Sequence, residues 1–209
     1  MKITDYFDKT YCINLDRRTD RWDECQTEFQ KHNLTSIDRF TAVDGSKLPK
    51  ITKGFVTPSR LALVLTNISI LEDAIKNNYK SILVLEDDVE FTDQVNDMSD
   101  FFNSLPEDWD MLYFGGNHNT HMGIPAPQVI NDKVTKLHYT FSTHCVAFNK
   151  KCFQTVLNRI KKQDNALDVL YVDLQKSLKV YSFYPMIATQ RVSFSDIENK
   201  LTDYKWLIK

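Results

Sequence analysis

Residues 82–91 read ILVLEDDVEF, and the change of chemistry inside this stretch decides how the rest of the chain is read. Ser81 to Leu85 (SILVL) is a continuous apolar run of strand length, the pattern of a strand covered on both faces in a sheet. The run stops abruptly at Glu86, Asp87 and Asp88. Three adjacent acids repel one another, and holding them at the end of a buried strand is costly unless a cation shares the site. The carboxyl end of a strand is also where open α/β sheets bind ligands. Hard oxygen donors favour Mg²⁺ or Mn²⁺, held by one or two carboxylates together with substrate phosphates. The competing reading of the triplet is a solvated acidic turn with helix-capping duties.

Outward from this strand, apolar runs at Tyr11–Leu15, Ile37–Val43, Asp110–Phe114, Val134–Leu137, His144–Phe148 and Val180–Tyr184 predict further strands. Trp22, Cys25 and Phe29 have helical spacing, and so do Leu61, Leu65, Ile68, Leu71 and Ile75 within 58–78, where Thr57 and Pro58 form a cap and first turn. Shorter helices are predicted over 100–105, 150–162 and 168–176. Strands alternating with helices through short connections imply an α/β fold, with a mostly parallel central sheet flanked by helices. Residues 118–132, with Pro125 and Pro127, read as a loop and a candidate mobile lid. The ending KLTDYKWLIK has the character of a terminal helix or tail.

With 209 residues, 42% of them hydrophobic and 26% charged, the chain has enough apolar material for a sizeable core and reads as a single domain over 1–209. Lys plus Arg is 26 and Asp plus Glu is 28, a formal net charge of −2, without the basic excess of a nucleic-acid binder. The four cysteines, Cys12, Cys25, Cys145 and Cys152, contain no Cys-x-x-Cys pair and are expected as reduced, buried thiols. No signal peptide is visible at the start. No segment approaches the roughly 18 apolar residues of a membrane span. A soluble domain, cytoplasmic in the simplest case, with no transmembrane segment, is the expectation.

The other strand ends supply the companions of the acidic triplet. Asn14, Arg17, Arg18 and Arg21 follow the first strand and suit the ribose and phosphates of a nucleotide, or else are ordinary surface arginines facing acids. Asp44 and Gly45 close the second strand, as a site element or a plain turn. Gly115, Gly116 and Asn117 close the 110–114 strand, where missing side chains allow close approach of a ligand. All four ends are expected to face one crevice. Neither a Gly-x-Gly-x-x-Gly run nor a P-loop occurs, which disfavours dehydrogenases and P-loop enzymes. Adjacent acids on one strand end are too close to flank a sugar from opposite faces, which disfavours a two-carboxylate glycoside hydrolase. His118, His121 and His144 read as surface or hydrogen-bonded histidines, and Trp22 as core. Trp109, Tyr139 and Phe141 are either core or sugar-stacking platforms.

In order along the chain, YCINLDRRTDRWDECQTEF, FTAVDG, LVLEDDVEF, DWDMLYFGGN, HYTFSTHCVAFNKKCFQTVL, ALDVLYVDL and FYPMIATQRVSFSDI resemble the blocks of glycosyltransferase family 25. The likeness runs over about 11–197. It implies a GT-A-like fold, a Rossmann-like nucleotide-sugar sheet, and a glycosyltransferase that takes a nucleotide-sugar donor, most simply a UDP-sugar. It further implies Mn²⁺ or Mg²⁺ at a DxD-like element, inversion at the sugar, and a glycan or glycoprotein acceptor. Carried over, Asp88 becomes the metal ligand, and Glu86 or Asp87 serves the metal or the ribose. Asn14, Arg17 and Arg21 line the donor site with Asp44, Asp168 is the candidate base, and Gln190, Ser195 and Asp196 belong to a closing block. One departure stands out: the family's Ser-His pair on the helix before the acidic strand is Thr66-Asn67 in SRLALVLTN, which removes an imidazole. A non-catalytic module that kept the fold is the alternative this substitution favours. The chain also reads as a possible single domain of a longer enzyme.

Overall fold

The computed structural model describes residues 1–49, 56–197 and 200–204. Its elements are β1 (Lys9–Asn14), α1 (Thr19–Lys31), β2 (Ile37–Thr41), α2 (Pro58–Lys76), β3 (Ser81–Glu86), β4 (Val89–Phe91), α3 (Ser99–Ser104), β5 (Met111–Tyr113) and β6 (Gln128–Val129). There follow β7 (Val134–Lys136), β8 (Cys145–Asn149), α4 (Phe153–Ile160), α5 (Leu167–Gln175), β9 (Val180–Phe183), β10 (Ala188–Gln190), β11 (Ser193–Ser195) and β12 (Lys200–Thr202).

Eight strands form the central sheet in the order β2-β1-β3-β8-β5-β9-β7-β6. It is mixed rather than mostly parallel by pairing. β1 pairs parallel with β2 and β3, and β5 with β9, whereas β8 runs antiparallel to both β3 and β5, and β7 runs antiparallel to β9 and β6. Inserting β8 backwards between β3 and β5 leaves both of those pointing the same way, so the strand ends predicted to lie together still do. Sequence patterning could not show this, because a buried strand is apolar on both faces in either direction.

The pleat sends alternate residues to opposite layers. Ile82 and Val84 of β3 join Val64, Ile68 and Leu71 of α2, Val156 and Ile160 of α4, and Leu170 and Leu174 of α5 in one core. Leu83 and Leu85 join Cys25 and Phe29 of α1, Phe101 of α3, and Phe114 and Phe183 in the other. Each of these side chains, when fully buried, contributes about 1.5–3 kcal/mol. All four cysteines are free and buried in these layers, as expected. The predicted start of α2 is also seen: the Thr57 hydroxyl accepts the Arg60 N–H, and Pro58 occupies the first turn.

Several short elements lie outside the predicted pattern. β4 pairs with β10, and β11 with β12, as separate two-stranded ladders. Three residues are too few for a periodic signal to stand out. The predicted 118–132 loop contains a short 3-10 turn, Thr120–Met122, and the edge strand β6. Of the predicted terminal helix or tail, 200–202 is strand β12, and 205–209 lies outside the described residues. No helix of the described residues is long and apolar enough to cross a membrane.

Candidate active site

The acidic strand end opens into a cavity of about 900 Å³ lined by the ends of β1, β2 and β3, the starts of α2 and α5, and the β10–β12 region. Its size falls within the range of small-molecule sites. Asn14, Arg17, Arg21, Asp44, Glu86, Asp87, Asp88, Asp168 and Gln190 all line it. Three of the four predicted strand ends therefore meet in one place.

The fourth does not. Gly115 and Gly116 are filled by the protein itself: a Cβ on Gly115 would fall 1.9 Å from the Ala188 carbonyl oxygen, and one on Gly116 2.6 Å from the Thr140 methyl. Their missing side chains admit neighbouring chain, not a ligand. Gly45 differs, because it lines the cavity and packs against the start of α2, with its hypothetical Cβ 2.8 Å from the Ser59 Cα. No residue of 118–132 lines the cavity either, since β6 occupies the far edge of the sheet from β1 and β2. The predicted lid is misplaced; Ser195, Asp196, Ile197, Thr202 and Tyr204 border the cavity instead.

Within the triplet the pleat separates the acids. Asp87 and Asp88 face the guanidinium of Arg21, at 2.6 and 3.0 Å, and all three are nearly buried. Asn14 donates to the Asp87 carboxylate at 2.7 Å and to the Arg18 carbonyl, while its own amide oxygen accepts from Arg39. Burial raises the Asp87 pKa, and the Arg21 charge and the Asn14 hydrogen bond oppose that rise. The β4–β10 ladder sets Gln190 opposite Val89 and brings its amide to 3.4 Å from the Asp88 carboxylate. Arg191, which sequence reasoning overlooked, donates from its backbone to the Asp88 carbonyl and from its side chain to the Asp87 carbonyl and Glu24.

Glu86 belongs to the other side. Its carboxylate accepts a hydrogen bond from the Thr143 hydroxyl at 2.5 Å. Burial, reinforced by the charge of Asp88, pushes its pKa up to about 8. Thr143 and Ser142 line the cavity just before β8, and polar residues preceding a strand carry no signal that marks them. Asp168 lies in the first turn of α5 and accepts the Val169 N–H at 2.8 Å. The N-cap itself is Ala166, with no side-chain cap hydrogen bond. Asp173, the other acid on this helix, is paired with Arg159 at 2.6 Å and does not line the cavity.

Asp44 closes β2 by accepting from the Ser46 N–H and hydroxyl, and these hydrogen bonds, with Arg17 nearby, hold its pKa below the usual carboxylate value. The Thr66-Asn67 departure also finds a structural account. Thr66 lines the cavity and accepts the Val43 N–H, whereas Asn67 is buried and accepts from the Tyr171 hydroxyl of α5. His144 is buried with one ring nitrogen 3.3 Å from the Ala188 carbonyl, and His118 meets the Thr140 hydroxyl at 2.9 Å. Trp22 and Trp109 pack against the second core. Tyr139 and Phe141 contact each other edge to face, and neither lines the cavity.

Whether a divalent cation fits can be judged from the donor set. Among the described residues there is no group of three or more His, Cys, Asp or Glu arranged to hold one. Glu86 and Asp88 do line the same cavity, and Asp88 raises the proton affinity of Glu86, the repulsion that a shared cation relieves. Two carboxylates suit a hard cation that takes the rest of its shell from diphosphate and water.

Residues 7–168 match the family described as glycosyltransferase family 25 (LPS biosynthesis protein). A glycosyltransferase 25 family member from Anopheles gambiae is 29% identical over 130 residues, covering 50% of this chain and 21% of that protein. The match thus spans about a fifth of that relative's length. A glycosyltransferase involved in glycosylation of the major capsid of PBCV-1 superposes with a TM-score of 0.42 at 12% identity, covering 72% of this chain and 64% of the other. A protein from STIV gives 0.49 at 11% identity, covering 94% and 95%. Structural likenesses this loose carry no argument of their own. The match over most of the chain does, and it places this protein in glycosyltransferase family 25.

Proposed function

We propose that this domain, alone or within a longer enzyme, transfers a sugar from a nucleotide diphosphate donor, most simply a UDP-sugar, to a hydroxyl of a glycan or glycoprotein acceptor, on a GT-A-like sheet and with inversion. The observation that carries this reading is the convergence of arginines and carboxylates from three strand ends in one cavity, within a chain of this family.

Each group then has a task set by its surroundings. Arg17, 47% exposed and paired with Asp44 and Asp196, would meet the donor phosphates, and Asn14 and Arg21 fix the acids beneath them. Glu86 and Asp88 would hold Mn²⁺ or Mg²⁺, which supplies Lewis-acid neutralisation of the departing diphosphate. Asp168 accepts the proton of the incoming acceptor hydroxyl from the α5 side of the cavity. The site contributes positioning and electrostatics, and no covalent intermediate is required.

Calorimetry with UDP, with and without Mn²⁺, tests the reading alongside transfer assays over a panel of UDP-sugars. We expect Mn²⁺-dependent UDP binding that Asp88→Ala abolishes while the melting curve stays cooperative. Undiminished affinity in Asp88→Ala would remove the metal assignment, and failure of the wild type to bind any nucleotide would remove the donor reading. A protein that binds donor yet transfers to no acceptor would be the non-catalytic module, the reading that the Thr66-Asn67 departure favours.

A further inference from the structure

The cavity is richer in acids than its assignment to an anionic donor would require. Arg17, Arg21 and Arg60 line it together with Asp44, Glu86, Asp87, Asp88, Asp168 and Asp196, so acidic groups outnumber basic ones six to three. Arg21 is committed to Asp87 and Asp88. One lining carboxylate, Asp196, bridges Arg17 of the lining to Arg18, which does not itself line the cavity. One oxygen of Asp196 meets Arg17 at 2.8 Å, and the other pairs closely with Arg18. Arg17 also reaches Asp44 at 3.4 Å, and Arg18 reaches Asp20 at 2.9 Å.

This is the arrangement of an anion held between two guanidinium groups, one oxygen to each, which is how arginines hold phosphate. The anion here is part of the chain. Asp196 directly follows β11, whose Phe194 carbonyl accepts from Arg21 at 3.2 Å, and β11 is laddered to β12. Ser195 in β11, Asp196 directly after it, and Thr202 in β12 line the cavity. The ladder therefore brings a carboxylate onto the basic rim.

We propose that Asp196 is an internal stand-in for the donor diphosphate, occupying the Arg17–Arg18 position until a diphosphate displaces it. Diphosphate as the natural ligand rests on the transferase reading above; the competition between Asp196 and a polyanion does not. Once released, Asp196 no longer ties β11 to the arginines, so donor binding and the position of this ladder are coupled.

Calorimetry on the full chain with inorganic pyrophosphate and orthophosphate, for wild type and for Asp196→Asn, tests the proposal. Asn is nearly isosteric and removes only the charge, and Asp196→Ser serves as a second variant should Asn fold poorly. The expected result is pyrophosphate binding that tightens about tenfold or more in the variant, equivalent to about 1.4 kcal/mol. Orthophosphate binding should tighten by the same factor, because both anions displace the same carboxylate. Hydrogen exchange at 193–197 should rise in wild type on adding pyrophosphate, and be already high in the variant without it. Unchanged or weaker pyrophosphate binding in the variant overturns the proposal, because Asp196 would then position the arginines instead of competing for them. Absence of pyrophosphate binding in both proteins overturns it as well. A chain that transfers sugar normally while Asp196→Asn leaves pyrophosphate affinity unchanged keeps the function and loses this proposal. Tightened pyrophosphate binding in a chain without transfer does the reverse.

Discussion

Glu86 and Asp87 are adjacent in the chain and carry the same functional group, yet they occupy opposite chemical surroundings. Asp87, with Asp88, is held against the buried guanidinium of Arg21 and the amide of Asn14. Glu86 accepts from one hydroxyl donor, Thr143, and among the described residues forms no ion pair. The strand's two-residue period separates them, sending one acid toward α1 and the next toward the α2 and α5 layer. On one side of the strand end the acids have a guanidinium and an amide as partners, which oppose the burial that raises the Asp87 pKa. The other holds a carboxylate whose charge is poorly compensated, the condition in which a group binds a proton or a cation readily.

The largest expected effect breaks the satisfied side. Arg21→Ala leaves Asp87 and Asp88 buried without their cation, and truncating one partner of a buried ion pair costs about 3–5 kcal/mol. Chemical denaturation should show this loss, with Arg21→Lys recovering part of it. A change under about 1 kcal/mol would mean that Arg21 does not hold the pair together.

Next comes the chemistry assigned to the opposite side. Asp168→Asn should keep nucleotide affinity and melting temperature but lower transfer by about 10² or more, the scale of general-base catalysis. Near-normal turnover in single-turnover assays would return Asp168 to its contact with the Val169 N–H.

A smaller effect contrasts the two sides through pH. The native Glu86 carboxyl titrates at about 8, above its ordinary value of 4.5. Between those two values the folded protein keeps a proton that the unfolded chain has released, so this group makes stability fall as pH rises. Thermal melts of the metal-free protein from pH 5 to 8 should show a downward component that Glu86→Gln removes. Identical pH profiles for the two proteins would mean Glu86 is as well compensated as Asp87.

The smallest effect separates the two acids of α5. Asp173→Asn removes a half-exposed pair with Arg159 and should cost no more than about 1 kcal/mol. Transfer by this variant should equal that of wild type. A loss of turnover comparable to that of Asp168→Asn would reverse their assignment.

The sequence by itself determined the layered α/β character, the buried β3 strand with its acidic end, the start of α2 at Thr57 and Pro58, and the family. These follow from local periodicity, capping and ordered blocks, which need no long-range contact to be read. It also named nine candidate residues that meet in the cavity: Asn14, Arg17, Arg21, Asp44, Glu86, Asp87 and Asp88 because strand ends of an α/β sheet share one edge, and Asp168 and Gln190 through the family resemblance. Tertiary structure alone decided the rest. The reversed insertion of β8 is invisible in an apolar run, and Gly115 and Gly116 turned out to admit Ala188 and Thr140, a matter of which chain passes nearby. The split between Glu86 and Asp87, the capture of Asn67 by Tyr171, and the bridge from Asp196 to Arg17 and Arg18 join residues from 57 to 179 positions apart. Contacts at such separations arise only when the elements pack, since no local pattern records which distant charge will neutralise which.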